Sequence, residues 1–396
     1  MDQNDARIIS DPYGICPSAK RCGGCSYQGV PYEDQIKNKL GEVKGFLRAE
    51  GIDPSVVTGI VPSPCRYRYR NKMEYTFGNE VKDGPTILGL HAAKSFISIV
   101  DTGECRLVPE DFNRILKATM EFVRQHGYTH YNKKLHAGLM RSLIIRRGVR
   151  TSELLINLVT SSDTKFDAEG FKDMILSLPL DNTAAGILHT INDNKADAVI
   201  ADDVRILHGR PYYNDVILGL QFSVGAFSFF QTNVEAAERL YSDAISLIDG
   251  LEGKTVYDLY CGTGTMTQAM ALKAKKAIGV EIVEEAVQTA VSSASSNGLK
   301  NCEFIAGDVQ EVLSGIEEKP DVIMVDPPRA GIMPKALLQI LSYGVPQIVY
   351  VSCNPKTLAK NLRAAQMSGY RTVSVTAYDN FSFTKHTECI ALLERI

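Results

Sequence analysis

The chain has 396 residues, of which 44% are hydrophobic and 22% charged, enough for two or three domains with proper cores and inconsistent with a fibrous, low-complexity or disordered protein. Its net charge of −3 excludes a general attractive field for nucleic acid, so any such binding must come from local basic patches. No run approaches the ~18 apolar residues of a membrane span, and the stretch from Met1 to Arg7 is polar where a signal peptide needs an apolar core. The expectation is a cytoplasmic monomer with no membrane partner. Nine cysteines, an odd number in a chain without a secretion signal, point to metal binding or catalysis before disulfides.

In chain order, the first chemical signal is Cys16, Cys22 and Cys25, three thiols within ten residues beside Gly23 and Gly24. With Cys105 downstream, four thiolates suit zinc and a 4Fe-4S cluster equally well on spacing alone; Cys65 is an alternative fourth ligand. Ile36, Leu40, Val43 and Leu47 recur at helical spacing up to Gly51, which predicts one amphipathic helix over about 32–50. From about Val61 to Val224, short β-like runs such as Leu143-Ile144-Ile145 and Glu153 to Val159 are broken by turn residues, predicting a mainly antiparallel α+β unit. After Phe230 the pattern alternates. A helix over Glu235 to Ile248 precedes strands at Thr255 to Tyr260, Ala277 to Val280, Glu303 to Ile305, Val322 to Val325, Ile348 to Val351 and Thr372 to Val375, with helical stretches between them. This alternation predicts a doubly wound parallel sheet.

The turn Cys261-Gly262-Thr263-Gly264-Thr265 carries two glycines that let a ligand approach the start of the next helix. It lacks the third glycine of the dinucleotide fingerprint, which disfavours nicotinamide. Glu281, ending the second strand, can accept from two ribose hydroxyls, and Asp308, ending the third, can meet an adenine amine. Either acid alone reads as a solvated strand end. Together they suggest a nucleoside without a phosphate, for which S-adenosyl-L-methionine is the obvious cofactor.

Asp326-Pro327-Pro328-Arg329 and, about twenty-five residues on, Cys353 in Ser352-Cys353-Asn354-Pro355 fall in turns beyond apolar strands, where α/β enzymes put reactive groups. Amine methyltransferases usually close such an acidic tetrapeptide with an aromatic residue that stacks on the target base; Arg329 weakens that reading. Carbon 5 of uracil is a poor nucleophile, and addition of a thiolate to carbon 6 activates it by generating an enolate that takes a methyl group. Cys353 is the expected thiolate. A base must then remove the carbon-5 proton. Glu388, before the final apolar strand, is the choice, with partial burial raising its pKa, and His386 is the rival. Cys261 and Cys389 read as packed residues.

Phe229-Phe230-Gln231-Thr232-Asn233, Asp258-Leu259-Tyr260-Cys261-Gly262, Asp326-Pro327-Pro328-Arg329, Ser352-Cys353-Asn354-Pro355 and His386-Thr387-Glu388 occur in this order, and the chain resembles the uracil-C5 RNA methyltransferases over nearly its whole length. The resemblance implies formation of 5-methyluridine in RNA, with Cys353 matching the nucleophile and Glu388 the base. It also implies that Gln231, Tyr260, Glu281, Asp308 and Asp326 line the S-adenosylmethionine and uracil pocket. Thr265 stands at a cofactor position where many relatives have Asn, and Phe381-Ser382 replaces the usual Phe-Pro. Cys16, Cys22, Cys25 and Cys105 are similar to the iron-sulfur branch of the family, which decides for a 4Fe-4S cluster. The spacing differs from the Cys-x3-Cys-x2-Cys of radical enzymes, and the fourth cysteine favours a closed cluster that is structural or positions RNA. With no small β-barrel domain before Cys16, the chain looks like one of the shorter members.

The implied fold class is α/β: a Rossmann-like methyltransferase domain at 226–396, preceded at 1–225 by an iron-sulfur, mainly antiparallel α+β RNA-binding region whose helix at about 32–50 packs on the catalytic domain. The expected substrate is 23S ribosomal RNA, with the T-loop of tRNA second. From a different class, a non-catalytic iron-sulfur RNA-binding assembly factor is the rival, against which Gln231, Asp326, Cys353 and Glu388 argue together. Arg66, Arg68, Arg70 and Lys72 alternate with Tyr67, Tyr69 and Asn71, which on an extended chain puts four charges on one side, with the aromatics as stacking surfaces. Arg141, Arg146, Arg147 and Arg150 form a second basic group. Phe227, Phe229 and Phe230 are candidates to fill the vacancy left by a flipped uridine or to contact the flipped base.

Overall fold

The structure is a computed structural model that describes residues 13–162, 165–194, 203–316 and 318–396; the polar opening from Met1 to Arg7 lies outside the described residues. Beyond Thr255 the apolar runs are continuous and not alternating, as strands covered on both faces require. They build an eight-stranded sheet in the spatial order Val57–Val61, Tyr370–Tyr378, Glu388–Arg395, Gln347–Ser352, Val322–Val325, Thr255–Leu259, Lys276–Glu281, Cys302–Ala306. Pairing is parallel from Gln347–Ser352 to Cys302–Ala306. The strand order reverses between Thr255–Leu259 and Val322–Val325, and such a switch point opens a ligand crevice beyond the carboxyl ends of the strands.

The expectation of a doubly wound parallel sheet is corrected at one place. Glu388–Arg395 runs antiparallel to both of its neighbours, Gln347–Ser352 and Tyr370–Tyr378. Only the nine residues Asp379 to Thr387 join it to the preceding strand, and a parallel crossover needs a dozen or more. The inversion has a chemical consequence, because it starts the last strand at the edge where the parallel strands end.

One face of this sheet, with Tyr257, Leu259, Ile323, Val325, Ile348 and Tyr350, packs on Leu337, Ile340, Leu358 and Leu362 from the helices Pro334–Ser342 and Pro355–Met367. The other face buries Val256, Val322, Met324, Val349 and Val351 against Leu240 and Ala244 of helix Val234–Ser246 and Met266 and Met270 of helix Thr265–Ala271. Full burial of one such large side chain contributes about 1.5–3 kcal/mol.

The N-terminal helix Tyr32–Ala49 joins the first face through Val43 and Leu47, and packs on Pro355–Met367. Its buried positions are Gln35, Lys39, Val43 and Leu47, while Ile36 and Leu40 are only half-buried. Apolar periodicity therefore finds this helix but misplaces its inner face by part of a turn. Two polar residues complete that face because a loop more than 300 residues away supplies their hydrogen-bond partners.

The intervening chain forms a seven-stranded sheet in the order Ile99–Asp101, Ile87–His91, Lys72–Gly78, Met140–Arg147, Glu153–Thr160, Thr183–Ile191, Asp203–Gly209. All its pairings are antiparallel except that of Glu153–Thr160 with Thr183–Ile191. Helices Glu110–Gln125 and Ala168–Ser177 share its core through Phe112, Ile115, Phe171 and Ile175. A hairpin of Tyr212–Ile217 and Leu220–Gly225 packs into the core of the larger sheet and leads into Gln231. No helix among the described residues is long and apolar enough to cross a membrane.

Candidate active site

Three separate segments end at one edge of the larger sheet. Val322–Val325 delivers Asp326, Gln347–Ser352 delivers Cys353, and the inverted strand opens with Glu388. The pairing of Ser352 with Cys389 sets Glu388 and Cys353 at the same level. All three side chains are half-buried. Burial raises the Cys353 thiol to about 11, with the Glu388 and Asp326 carboxylates adding to the shift and Arg329 opposing it. Glu388 is pushed up to about 8, first by burial and then by Asp326, against Arg329 and Lys39. Burial raises Asp326 to about 6. Titratable groups shifted this strongly by burial and by neighbouring charges are characteristic of functional sites.

Gln231 belongs to the same cluster. Its Nε2 donates to Tyr241 Oη at 2.7 Å, and the buried Tyr241 is raised by desolvation and by Asp326, Glu388 and Asp258. Asn71 holds this segment from behind: its Nδ2 donates to the Gln231 carbonyl at 3.0 Å and its backbone N–H to the Thr232 carbonyl at 3.0 Å. His386 is exposed at its outer side, with Nδ1 3.1 Å from Arg329 Nη2, and its pKa is pushed down by partial desolvation of the ring and by Arg329, Lys39 and Arg70.

On the cofactor side, Tyr260, Gly262 and Gly264 have φ of 68°, 55° and 75°, bending the chain sharply into helix Thr265–Ala271, which begins with the half-buried Thr265. A Cβ added at Gly262 would meet nothing within 4 Å, so the backbone there faces space a ligand can enter. Glu281 accepts from the N–H groups of Gly262 and Val283 at 3.1 and 3.0 Å. Asp308 is exposed and caps helix Val309–Gly315, accepting from Gln310 N at 2.8 Å. Its charge reaches Tyr260, which burial raises to about 12.

Sequence reasoning assigns no role to two further members, Tyr241 and Asp258, although Asp258 opens one of the quoted motifs. Tyr241 lies inside a helix with no motif to mark it. Asp258 has a signal in hindsight, a lone acid within the buried strand Thr255–Leu259. Its Oδ2 accepts from Thr267 Oγ1 at 2.6 Å, Oδ1 has no partner among the described residues, and burial raises the carboxyl to about 7. An orphaned carboxylate oxygen next to an open glycine turn and a strand-end acid fits a cationic nucleoside such as S-adenosylmethionine.

Cys16, Cys22, Cys25 and Cys105 line one cavity of about 420 Å³ together with Gln28, Arg70, Lys72 and Thr232. Cys65 is not among the described residues that line it; its thiol donates to the Tyr67 carbonyl at 2.7 Å. Among the described residues, no three His, Cys, Asp or Glu side chains are grouped closely enough to hold a single metal ion. Burial raises Cys25 to about 12 and Cys105 to about 11, so as free thiols they keep their protons at neutral pH, and metal binding would have to displace them.

The basic face differs from expectation in two respects. Arg66 to Asn71 precede the strand Lys72–Gly78, and Arg68 has a φ of 56°, yet the alternation survives: Arg66 and Arg68 are exposed, Arg70 and Lys72 half-buried, and Tyr67, Tyr69 and Asn71 buried. Tyr67 and Tyr69 pack on Leu107 and Phe383 and so present no stacking surface. Most of the second basic group is engaged by other groups of the protein. Arg141 donates to the carbonyls of Asn192 and Asn194, Arg150 pairs with Glu238, and Arg146 is buried against the Ser228 carbonyl. Phe230 is buried beside Phe222, whereas Phe227 and Phe229 are 40% and 70% exposed.

The strand order, the glycine turn and the strand-end acids define an S-adenosylmethionine-dependent methyltransferase fold. Residues 219–396 match the tRNA (uracil-5-)-methyltransferase family. A Clostridium tetani protein described as an uncharacterized RNA methyltransferase is 44% identical over 392 residues, 98% of this chain and 86% of its own. One from Caldanaerobacter subterraneus with the same description is 45% identical over 380 residues, 96% and 84% of the two chains. Among solved structures, the chain is similar to the Pyrococcus abyssi tRNA (uracil-54, C5)-methyltransferase in complex with S-adenosyl-L-homocysteine, with a TM-score of 0.77, 28% identity and coverage of 93% of this chain and 85% of that one. The chain belongs to the uracil-C5 RNA methyltransferase family.

The raised Glu388 pKa carries a stability prediction. Between its ordinary value of 4.5 and its folded value of about 8 the native state binds more protons than the unfolded chain, so this group makes the protein less stable as pH rises through that window. Glu388→Gln should therefore be more stable than the parent by about 1–3 kcal/mol at pH 8 and lose that advantage near pH 5. Thermal unfolding at the two pH values measures this; an equal gain at both would mean that burial of the charge is not its source.

Proposed function

We propose that this protein uses S-adenosyl-L-methionine to methylate carbon 5 of a uridine in RNA, with 23S ribosomal RNA the first target to test. The observation that carries the chemistry is the convergence of Cys353, Asp326 and Glu388 at one sheet edge beside Gln231. S-adenosylmethionine, when bound, supplies an electrophilic methyl group; Gln231, Tyr260, Thr265, Glu281, Asp308 and Asp326 would hold it and the uracil. Cys353, as thiolate, adds to carbon 6 and drives the ring electrons toward carbon 5. Arg329 is the neighbour whose charge favours that thiolate. Once carbon 5 carries the methyl group, the Glu388 carboxylate takes its proton, the carbon 5–carbon 6 double bond re-forms, and the carbon 6–sulfur bond breaks to release Cys353. A carboxyl at about 8 is well matched to proton transfer near neutral pH.

Cys16, Cys22, Cys25 and Cys105 would hold a 4Fe-4S cluster. Four thiols spread around one cavity wall suit a group larger than a single ion, and the same wall carries Arg70, Lys72 and Thr232, next to Gln231. A cluster there would brace the RNA-facing arginines against the catalytic segment. Residues 1–225 form the cluster and RNA-binding region in this reading, lending the helix Tyr32–Ala49 and the strand Val57–Val61 to the catalytic sheet. Arg66, Arg68, Arg70 and Lys72 would meet phosphates, and the exposed Phe227 and Phe229 would meet the flipped uridine or its vacancy.

A second reading, the same reaction on the T-loop uridine of tRNA, is favoured by the likeness to the Pyrococcus abyssi tRNA enzyme. Mass-spectrometric mapping of 5-methyluridine in RNA from cells with and without the protein separates the two. Loss from 23S ribosomal RNA is expected; loss confined to tRNA selects the second reading; no loss from either overturns the proposal and returns the protein to an assembly role.

A further inference from the structure

The helix Tyr32–Ala49 buries a lysine completely, at a position no motif marks. Lys39 is 0% exposed, and its ammonium has three hydrogen-bond partners: Asp379 Oδ1 at 2.5 Å, the Phe381 carbonyl at 3.1 Å and the His386 carbonyl at 2.8 Å. An ammonium has three N–H donors, so each has a counterpart here. The Asp379 carboxylate also accepts from Tyr32 Oη at 2.8 Å and Ser382 Oγ at 2.9 Å. One turn before Lys39, Gln35 accepts from the Phe383 N–H at 2.9 Å. Every one of these contacts falls on the nine-residue loop Asp379 to Thr387, which ends where Glu388 begins. The loop is irregular and forms no strand ladder of its own, so its shape depends on contacts from elsewhere: these side chains, with Tyr69 Oη, Asn233 Nδ2 and the Ser26 and Tyr27 N–H groups also donating to its carbonyls.

A buried ion pair is by itself weak evidence for stability, because desolvation offsets the attraction. What this pair does geometrically is more specific, since two of the lysine's three partners are loop carbonyls and one of them lies two residues before Glu388. We propose that Lys39 is a positioning residue for the proton-removal step: through Asp379, Phe381 and His386 it fixes the loop that sets the Glu388 carboxylate over the uracil ring. The inference rests on the reading of Glu388 as base, and makes the N-terminal helix part of the catalytic assembly. The charged and titratable groups around Glu388 include Asp326, Arg329, Lys39, Cys353, Tyr241 and its chain neighbour Cys389. Of these, Lys39 also holds the backbone that carries it.

The test separates the steps before proton removal from that step itself. Lys39→Met/Asp379→Asn removes both charges, so that neither is left buried alone. The RNA comes from cells lacking the protein, grown with or without 5-fluorouracil. A fluorinated ring has no carbon-5 proton to lose, so it traps the enzyme after addition and methyl transfer. The double variant should trap fluorinated RNA within about twofold of the parent rate. On ordinary RNA it should release product roughly ten- to a hundredfold more slowly, accumulating a methyl-labelled protein–RNA adduct. Tyr32→Phe loosens the same hub while sparing the ion pair; it decides the matter if the double variant does not fold, and should slow release alone by about two- to fivefold. Trapping and release slowed equally, or neither slowed, would reduce Lys39 to a structural pair and overturn the proposal. Glu388→Gln, run in parallel, distinguishes the failures. Normal release from it overturns the base assignment and this proposal together, whereas adduct from Glu388→Gln with none from either hub variant overturns this proposal alone.

Discussion

Cys353→Ala should bind RNA and S-adenosylmethionine with near-parental affinity yet form neither 5-methyluridine nor a covalent adduct, a loss of turnover on the order of 10⁴-fold or more. The size follows from the chemistry. Without addition at carbon 6, carbon 5 of uracil is too poor a nucleophile to take the methyl group, and none of the neighbouring groups, Asp326, Glu388 and Arg329, replaces the thiolate that adds to carbon 6. Glu388→Gln acts later. It keeps the thiol and the methyl-transfer geometry but removes the carboxylate that takes the carbon-5 proton, so turnover should fall by a comparable factor while a methylated adduct accumulates. On a denaturing gel that adduct would run as a slow band carrying label from the cofactor's methyl group. The amide is also neutral at every pH, so it removes one of the charges that raise the Cys353 thiol, leaving burial and Asp326 in place. Adduct formation in Glu388→Gln is therefore expected to be at least as fast as in the parent. Turnover retained by Cys353→Ala would rule out the thiol mechanism; normal release by Glu388→Gln would move the base to His386, which stands exposed beside Arg329.

Much of this site is legible in the sequence because its parts sit where local pattern is strongest. Asp326 and Cys353 directly follow apolar runs, and Val322–Val325 and Gln347–Ser352 appear in the structure within a residue of where those runs place them. The glycine turn is legible for the same reason, since backbone at positive φ needs glycine, although the non-glycine Tyr260 shares that conformation. What escapes is whatever depends on partners distant in sequence. Lys39 lies between Ile36 and Leu40 with no motif to mark it, and only the approach of Asp379 shows that it faces inward. Tyr67 and Tyr69 alternate with arginines as an RNA-stacking stripe would, but Leu107 and Phe383 claim them for a small core. Arg141 and Arg150 look like free basic residues until the carbonyls of Asn192 and Asn194 and the carboxylate of Glu238 are brought to them by the fold. The last strand is visible as an apolar run, yet its direction is set by the length of the loop before it, and that direction places Glu388 beside Cys353.

Cys105→Ala should strip most of the iron from the protein and lower its folding yield, whereas Cys65→Ala should change neither. The parent, purified without oxygen, should be brown and contain about four irons per chain. Cys16 to Cys25 form turns without a ladder of their own beyond the single bridge of Cys22 to Ala92, so little regular structure holds them in place. Whatever bound their thiols would tie this stretch to Cys105, which lies just before helix Glu110–Gln125 and packs against the cores beside it. Removing one of four ligands from such a site weakens the metal's hold and with it the folding free energy that ligation supplies. Cys65 is the matched control: it is the same residue type, packed in the same small core around Tyr67 and Phe383, but its thiol donates to the Tyr67 carbonyl and it is not among the described residues that line the cavity. The damage should also reach catalysis, because Thr232 stands on the cavity wall and the N–H groups of Ser26 and Tyr27, adjoining Cys25, both donate to the Phe383 carbonyl in the loop before Glu388. Cys105→Ala should therefore lose RNA methylation along with its iron. A colourless parent holding one zinc would overturn the cluster assignment, and equal iron loss in Cys65→Ala would place the fourth ligand there instead.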